Sequence, residues 1–355
     1  MEVALPGTPQ ISVIIPARNE VACLGQCLQS LATQDSVEYE ITVVDDNSTD
    51  GTREIAESFP GVRVASAGPL PAGWTGKNNA LVSGVRQARG AWLLFTDADT
   101  VHLPGSLAHA LAEAKSNQAD LLSYSPQQVA KSFWERAVMP VVFAELAAQY
   151  PPQKVRDQGS GVVAANGQYI LVRREAYERV GGHAAVASQI LEDVALARAF
   201  RAAGFRVHFR YGDDLVRARM YRNWGELREG WTKNLALLFP RPAWRATWIT
   251  GWWAFSWITF PLGLASIIGG YWKTAFYSAS AILLYQRISR AHFSFVTTLL
   301  ACVVGPPVFA YLLIRSRHRH RKGEISWKGR QYNATMATGE SNDPVSRPSE
   351  ARAES

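Results

Sequence analysis

Three cysteines in 355 residues, Cys23, Cys27 and Cys302, are too few for a disulfide framework, and they show no CxxC or zinc spacing. Their scarcity suits a reducing compartment. No GxGxxG run occurs, so a dinucleotide-binding fold has no support. GWTGKNNAL at 73–81 approaches a phosphate loop but fails as one. Pro71 occupies the first-glycine position, and Asn78 replaces the Ser or Thr that would hold Mg2+. MEVALPGTPQ at the start has neither a basic n-region nor a long apolar h-region, so no secretory signal peptide is expected. Charge is missing altogether from 246–270, and a soluble core seldom needs a charge-free run of that length.

What is present is unevenly placed. Many of the twelve tryptophans fall between Trp224 and Trp272. The formal charge of +7 includes a dense basic block, RSRHRHRK at 315–322. Such a block suits nucleic acid or anionic lipid equally in isolation, but it directly follows an apolar segment, which selects lipid and excludes nucleic acid as the expected partner.

Short β-branched or apolar runs at 11–15, 41–44 and 91–96 alternate with helical patterns at 21–31, 52–58 and 78–88. Strands alternating with helices argue for a parallel α/β sheet with helices on both faces. Ligands of such sheets bind beyond the carboxyl ends of the strands. The polar motifs PARNE, DDNSTDGT and DADT fall at those three ends. Further on, FWERAVMPVVFAELAAQYPP (133–152) reads as an amphipathic or interfacial helix, and 190–205 as a helix with acids in its first turn.

From about Arg241 the chain reads as a membrane region. Roughly 20 apolar residues span a bilayer, and tryptophan prefers its interfaces. The run 246–270 meets that length, 293–314 is a second candidate broken by Pro306–Pro307, and 274–284 is apolar but short. The domains expected are 1–240, a catalytic α/β unit; 241–314, the membrane region; and 315–355, a basic cytoplasmic tail disordered over 336–355. Arginines at 241, 245, 287 and 290 and the tail block all favour the cytoplasmic side, which three full crossings cannot satisfy together.

Each chemical motif has a plain structural reading of its own. Asp97 and Asp99, two apart at a strand end, share one face, and taken alone they make an Asx-type turn. Asp45 and Asp46 followed by Ser and Thr are common in α/β loops. Gly76–Lys77 at a helix start suits an anion or is a surface lysine. Glu192 and Asp193 complement a helix dipole. In RMYRNWGELREGWTKN (219–234), arginine forks match diphosphate oxygens, while the tryptophans serve equally as membrane anchors.

Their order in one α/β unit is less easily dismissed. SVIIPARNE, VVDDNSTDGT, GKNNAL, FTDADT, GQYILVRREAYERVGG and LEDVALARAFRAAG together resemble the family 2 glycosyltransferases of GT-A fold, over roughly residues 10–235. GWTGK, RMYRNWGELREGWTKN and ISWKGRQY (325–332) resemble its membrane-bound, lipid-directed branch, which includes hopanoid-associated, carotenoid and ceramide glycosyltransferases. The resemblance implies a GT-A fold with a Rossmann-like mixed sheet and C-terminal transmembrane helices. It implies that Pro16, Ala17, Glu20, Asp45 and Asp46 hold the nucleoside. Lys77 with Arg219, Arg222, Arg228 and Trp231 would hold the rest of the donor, although Asn223 interrupts the usual Q/R-x-x-R-W pattern. Asp97 and Asp99 would bind Mg2+ or Mn2+ on the donor diphosphate, and Asp193 would be the catalytic base. The activity implied is inverting transfer of a sugar from a nucleotide sugar, UDP-linked by expectation, to a hydroxyl or carboxyl of a lipid at the cytoplasmic face of the cell membrane. A processive polysaccharide synthase and a non-catalytic membrane scaffold retaining the fold are the alternatives.

Overall fold

The computed structural model describes residues 9–269 and 278–332. In chain order the elements begin β1 (Ile11–Ala17), α1 (Leu24–Ala32), β2 (Tyr39–Asp45), α2 (Thr52–Glu57), β3 (Val62–Ser66), α3 (Gly76–Val85), β4 (Trp92–Phe95) and β5 (Thr100–His102). They continue with α4 (Ser106–Ser116), β6 (Leu121–Ser125), β7 (Gln127–Gln128), α5 (Phe133–Gln149), α6 (Pro152–Arg156), β8 (Ile170–Arg173), α7 (Arg174–Arg179), α8 (Gly182–Ala185) and α9 (Glu192–Ala202). The last are β9 (Val207–Tyr211), β10 (Val216–Ala218), α10 (Trp224–Leu238), α11 (Pro242–Ile268), α12 (Ala279–Ser289), α13 (Phe295–Lys322), β11 (Ile325–Trp327) and β12 (Arg330–Tyr332).

Seven strands form one sheet in the order β3-β2-β1-β4-β8-β6-β9. β8 runs antiparallel to β4 and β6, and the other pairings are parallel, so the sheet is mixed. Both faces of β1 are covered: Ile11, Val13, Ile14 and Ile15 are fully buried, which is why its sequence is a continuous β-branched run and not an alternating one. Leu24, Cys27, Leu28 and Leu31 of α1 pack on one face, and Leu81 of α3 with Leu196 and Phe200 of α9 on the other. The strand order reverses beside β1, and at such a switch point loops diverge and leave a crevice.

A third core joins α5 and α10 to the C-terminal helices, through Val138, Val142, Leu227, Trp231, Ala301 and Phe309. α5 starts on a reciprocal capping box between Ser132 and Glu135. Read as interfacial from its sequence, it is buried along most of its length beneath α13.

Two boundaries differ from the sequence expectation. Pro306 and Pro307 do not break α13. Pro307 has no N–H for the carbonyl of Val303, and the indole Nε1 of Trp253 donates to that carbonyl instead, at 3.0 Å. The basic block at 315–322 is likewise not a tail: it forms the last turns of α13, which stop at Gly323 in the left-handed conformation (φ 66°). The chain then turns back as the β11–β12 hairpin. The segment 336–355, expected to be disordered, lies outside the described residues.

Candidate active site

A cleft of about 460 Å³ opens beyond the carboxyl ends of the strands. Pro16, Ala17 and Glu20 line it after β1, Asp46 after β2, Asp97 and Asp99 after β4, and Lys77 and Asp193 from the first turns of α3 and α9. Arg219 and Arg222 also reach it. Ten of the expected donor, metal and base residues therefore share one cavity, brought there by six separate loops or helix ends.

Lys77 sits at the centre of the acids. Its Nζ lies 2.7 Å from Asp97 Oδ1 and 2.7 Å from Glu192 Oε1. Burial alone would lower the ammonium pKa, but the two carboxylates outweigh it and hold the group well above the usual lysine value. Its side chain keeps 31 % exposure because the cleft is open to water. Glu192, which the dipole argument treated as Asp193's equal, is thus an ion-pair partner of Lys77.

Asp193 is held differently. Its Oδ2 accepts from the backbone N–H of Gly167 at 2.9 Å and its Oδ1 from that of Val194 at 2.8 Å. A side chain at Gly167 would crowd this approach, since a Cβ there would stand 3.0 Å from Lys77 Nζ and 3.2 Å from Glu192 Oε1. Burial, followed by the charge of Glu192, pushes the Asp193 carboxyl up to about 6.

Asp99 is raised further, to about 7, by burial and then by the charges of Asp97 and Glu20. Its two oxygens accept from Gln168 Nε2 at 3.3 and 3.4 Å. Two carboxylates that repel each other inside a cleft are what a divalent cation relieves. The described residues hold no group of three or more His, Cys, Asp or Glu side chains poised as a complete metal cage. A two-carboxylate set nevertheless fits Mg2+ or Mn2+, which commonly take one or two carboxylates and complete the shell with substrate phosphate and water.

Three expected site residues lie elsewhere. Asp45 is buried behind the loop, where its Oδ1 accepts from Ser48 N at 3.2 Å and shapes the turn. Arg228 is exposed on α10, outside the cleft lining. Trp231 is 2 % exposed and packs on Phe143 and Tyr221 in the helical core, because its helix turns that position away from the cleft. Arg219 reaches the cleft with its guanidinium already engaged: Nε and Nη2 donate to the two oxygens of Glu135 at 3.0 and 3.1 Å. Arg222 donates to the carbonyl of Ala22 at 2.6 Å.

In their place the structure brings Lys233, Lys328 and Arg330 to the cleft, with Trp327 and Tyr332. The β11–β12 hairpin closes over the β1 and β2 loops. Arg330 forks onto Asp46, its Nη2 2.9 Å from Oδ1 and its Nη1 on Oδ2. Lys328 pairs with Glu20 and donates to the carbonyl of Arg18 at 3.0 Å. Gly76 leaves room for the fork: a Cβ there would fall 1.6 Å from Arg330 Nη1. Arg330 and Asp46 are 284 positions apart, and in the sequence ISWKGRQY stood out only by its resemblance to the membrane-bound branch.

A mixed, central seven-stranded sheet with acids in a cleft beyond the β1, β2 and β4 ends is the arrangement of the GT-A class of nucleotide-diphospho-sugar transferases. The sequence model of the family described as Glycosyl transferase family 2 matches residues 12–181. A 4,4'-diaponeurosporenoate glycosyltransferase of Staphylococcus aureus (strain MRSA252) is 30 % identical over 345 residues, covering 91 % of this chain and 88 % of that protein. Solved structures that overlay on the chain include a mannosyltransferase of Pyrobaculum calidifontis in complex with GDP-Man and Mn2+, at TM-score 0.48 and 18 % identity over 88 % of this chain and 87 % of that one. S. aureus TarS 1–349 in complex with UDP-GlcNAc overlays at TM-score 0.42 and 17 % identity, covering 88 % and 92 %. The chain belongs to glycosyltransferase family 2.

Proposed function

We propose that this glycosyltransferase moves a sugar, with inversion, from a nucleotide sugar to a carboxyl or hydroxyl of a membrane lipid at the cytoplasmic face of the cell membrane. The observation that carries the reading is the meeting of Asp46, Asp97, Asp99, Lys77 and Asp193 in one cleft whose far wall is the helical bundle. UDP is the expected nucleotide.

Pro16, Ala17, Glu20 and Asp46 hold the nucleoside, and a base or ribose that uses the Asp46 carboxylate displaces Arg330 from it. Asp97 and Asp99 would hold the divalent cation. Mg2+ or Mn2+ there would neutralise the charge that develops on the departing diphosphate. Lys77 holds the Asp97 carboxylate in place. Asp193, aimed by the Gly167 and Val194 N–H groups, takes the proton of a hydroxyl acceptor as its oxygen bonds to the anomeric carbon and the carbon–phosphate-oxygen bond breaks. A carboxyl that raises to about 6 is deprotonated at neutral pH and still basic enough to help. One in-line displacement inverts the anomeric centre.

The lipid side of the reading rests on α11 and α13, whose apolar 18-residue stretches have mean hydropathy 1.3 and 1.9. α11 leaves Phe255, Ile258, Leu262 and Ile268 exposed along its length, and a run of exposed apolar side chains of this kind suits contact with lipid. The diaponeurosporenoate named for the S. aureus relative is a lipid-like acid, which fits an acceptor delivered from the bilayer. Membranes containing the protein are incubated with Mn2+ and a panel of labelled nucleotide sugars, and lipid is extracted. One labelled glycolipid of inverted configuration is expected; a long polymer, or no lipid-linked sugar with any donor, removes the reading.

A further inference from the structure

α10 turns two polar side chains into the cleft immediately after the buried Trp231. Lys233 and Asn234 both line it. Lys233 forms no ion pair and donates no side-chain hydrogen bond among the described residues; its Nζ lies over the Trp327 ring, 5.0 Å from the centroid. Asn234 Oδ1 is buried without a partner, and its Nδ2 donates no hydrogen bond among the described residues. Buried amides are ordinarily satisfied, so an unpartnered one in the wall of a cavity marks a place for a polar group of a substrate.

The contrast with Lys77 sharpens the point. Lys77 is neutralised by two carboxylates at contact distance. Lys233 feels the charges of Glu192, Asp97 and Asp193 without touching any of them, and burial with the nearby Lys77 charge holds its ammonium below the usual lysine range. It is a cation at the reaction centre with no anion of its own. Its helix cannot drift, because Ser316 and His320 of α13 bond to the backbone of Thr232, Ala236 and Lys233.

We infer that Lys233 binds a substrate oxyanion at the reaction centre and that Asn234 hydrogen-bonds the substrate group beside it. The inference rests on the cleft being the sugar-transfer site. The oxyanion has two sources of shared chemistry, the carboxylate of an acid acceptor and the phosphate of the nucleotide. Charge with a short, buried reach discriminates either from a neutral group, since an ammonium left unpaired beside a neutral ligand gains nothing.

The test uses the full chain in detergent micelles, with Lys233→Gln, Lys233→Arg and Asn234→Ala. Thermal unfolding first establishes that each variant is folded. Binding of UDP and GDP with Mn2+, and of 4,4'-diaponeurosporenoate, is measured directly, and KM for donor and acceptor is measured wherever wild type turns over. Lys233→Gln is expected to weaken one ligand tenfold or more, with Lys233→Arg restoring most of it and Asn234→Ala losing a few-fold. Loss confined to the acid assigns the acceptor carboxylate, and loss confined to the nucleotide assigns the phosphate. Unchanged affinity for both ligands in folded Lys233→Gln overturns the inference. Failure of the functional reading looks different: wild type then binds nucleotide yet transfers no sugar, and the binding arm still reports on Lys233.

Discussion

The two walls of the cleft are built on different principles. The sheet-side wall, residues 16–20, 46 and 97–99 with the start of α9, places each acid at a strand or helix end. The opposite wall, α10 and the β11–β12 hairpin, offers mainly cations, and these come from a helix face and a distant turn. In the first wall a residue's direction follows from where its strand stops. In the second it follows from how a helix is rotated and what a hairpin lands on. That difference explains why Asp97, Asp99 and Asp193 could be placed in the cleft from their neighbours in sequence, whereas Trp231 and Arg228 fall outside its lining and Lys233 within it.

The largest effect expected is on the sheet side. Asp193→Asn keeps one of the two backbone hydrogen bonds, since the amide nitrogen cannot accept from an N–H, and removes the base. Transfer to a hydroxyl acceptor should fall by about 10²–10⁴-fold in protein that is still folded; a steady-state assay that finds full activity would sink the base assignment. Trp231→Ala should instead be a stability variant, losing about 3–5 kcal/mol in a chemical denaturation curve because it empties a core position. Trp231→Phe should leave donor KM alone, and a large rise in KM would put the indole back on the substrate.

Acidity separates the walls further. A general base works deprotonated, and burial and Glu192 raise Asp193 to about 6, so activity on a hydroxyl acceptor is present above that pH and is lost as pH falls through it. The limb should show as about a tenfold drop in kcat/KM per pH unit below 6, and it should be absent from Asp193→Asn. A rate flat from pH 7 to pH 4.5 would contradict the assignment. The smallest effect is on the hairpin. Gly76→Ala sets a methyl where the Arg330 fork lies and should undock β11–β12 without disturbing α3, whose φ at that residue is ordinary. Trypsin should then cut faster at Lys328 and Arg330 in the variant, and equal cutting would mean the fork is not what holds the hairpin.

How far the site could be read ahead follows the same division. Runs rich in β-branched residues announced β1 and β2, and the abrupt change to polar residues marked where each ends, so the acids beyond the strand ends were legible. β3 was not foreseen, because VRVAS is short and only partly buried at the sheet edge. The Pro306–Pro307 pair looked like a break until Trp253, more than fifty positions earlier, was found on the freed Val303 carbonyl. No local pattern contains that partner.

Alone, the sequence determined the class of enzyme and the acidic half of its site, since period, turn chemistry and strand ends are local properties that neighbouring residues dictate. The tertiary structure decided the cationic half. Whether Arg219 faces substrate or Glu135, whether Glu192 is a dipole cap or the partner of Lys77, and where ISWKGRQY comes to rest depend on groups tens to hundreds of positions away. Electrostatic pairing acts through space, over a few ångströms that chain distance does not measure.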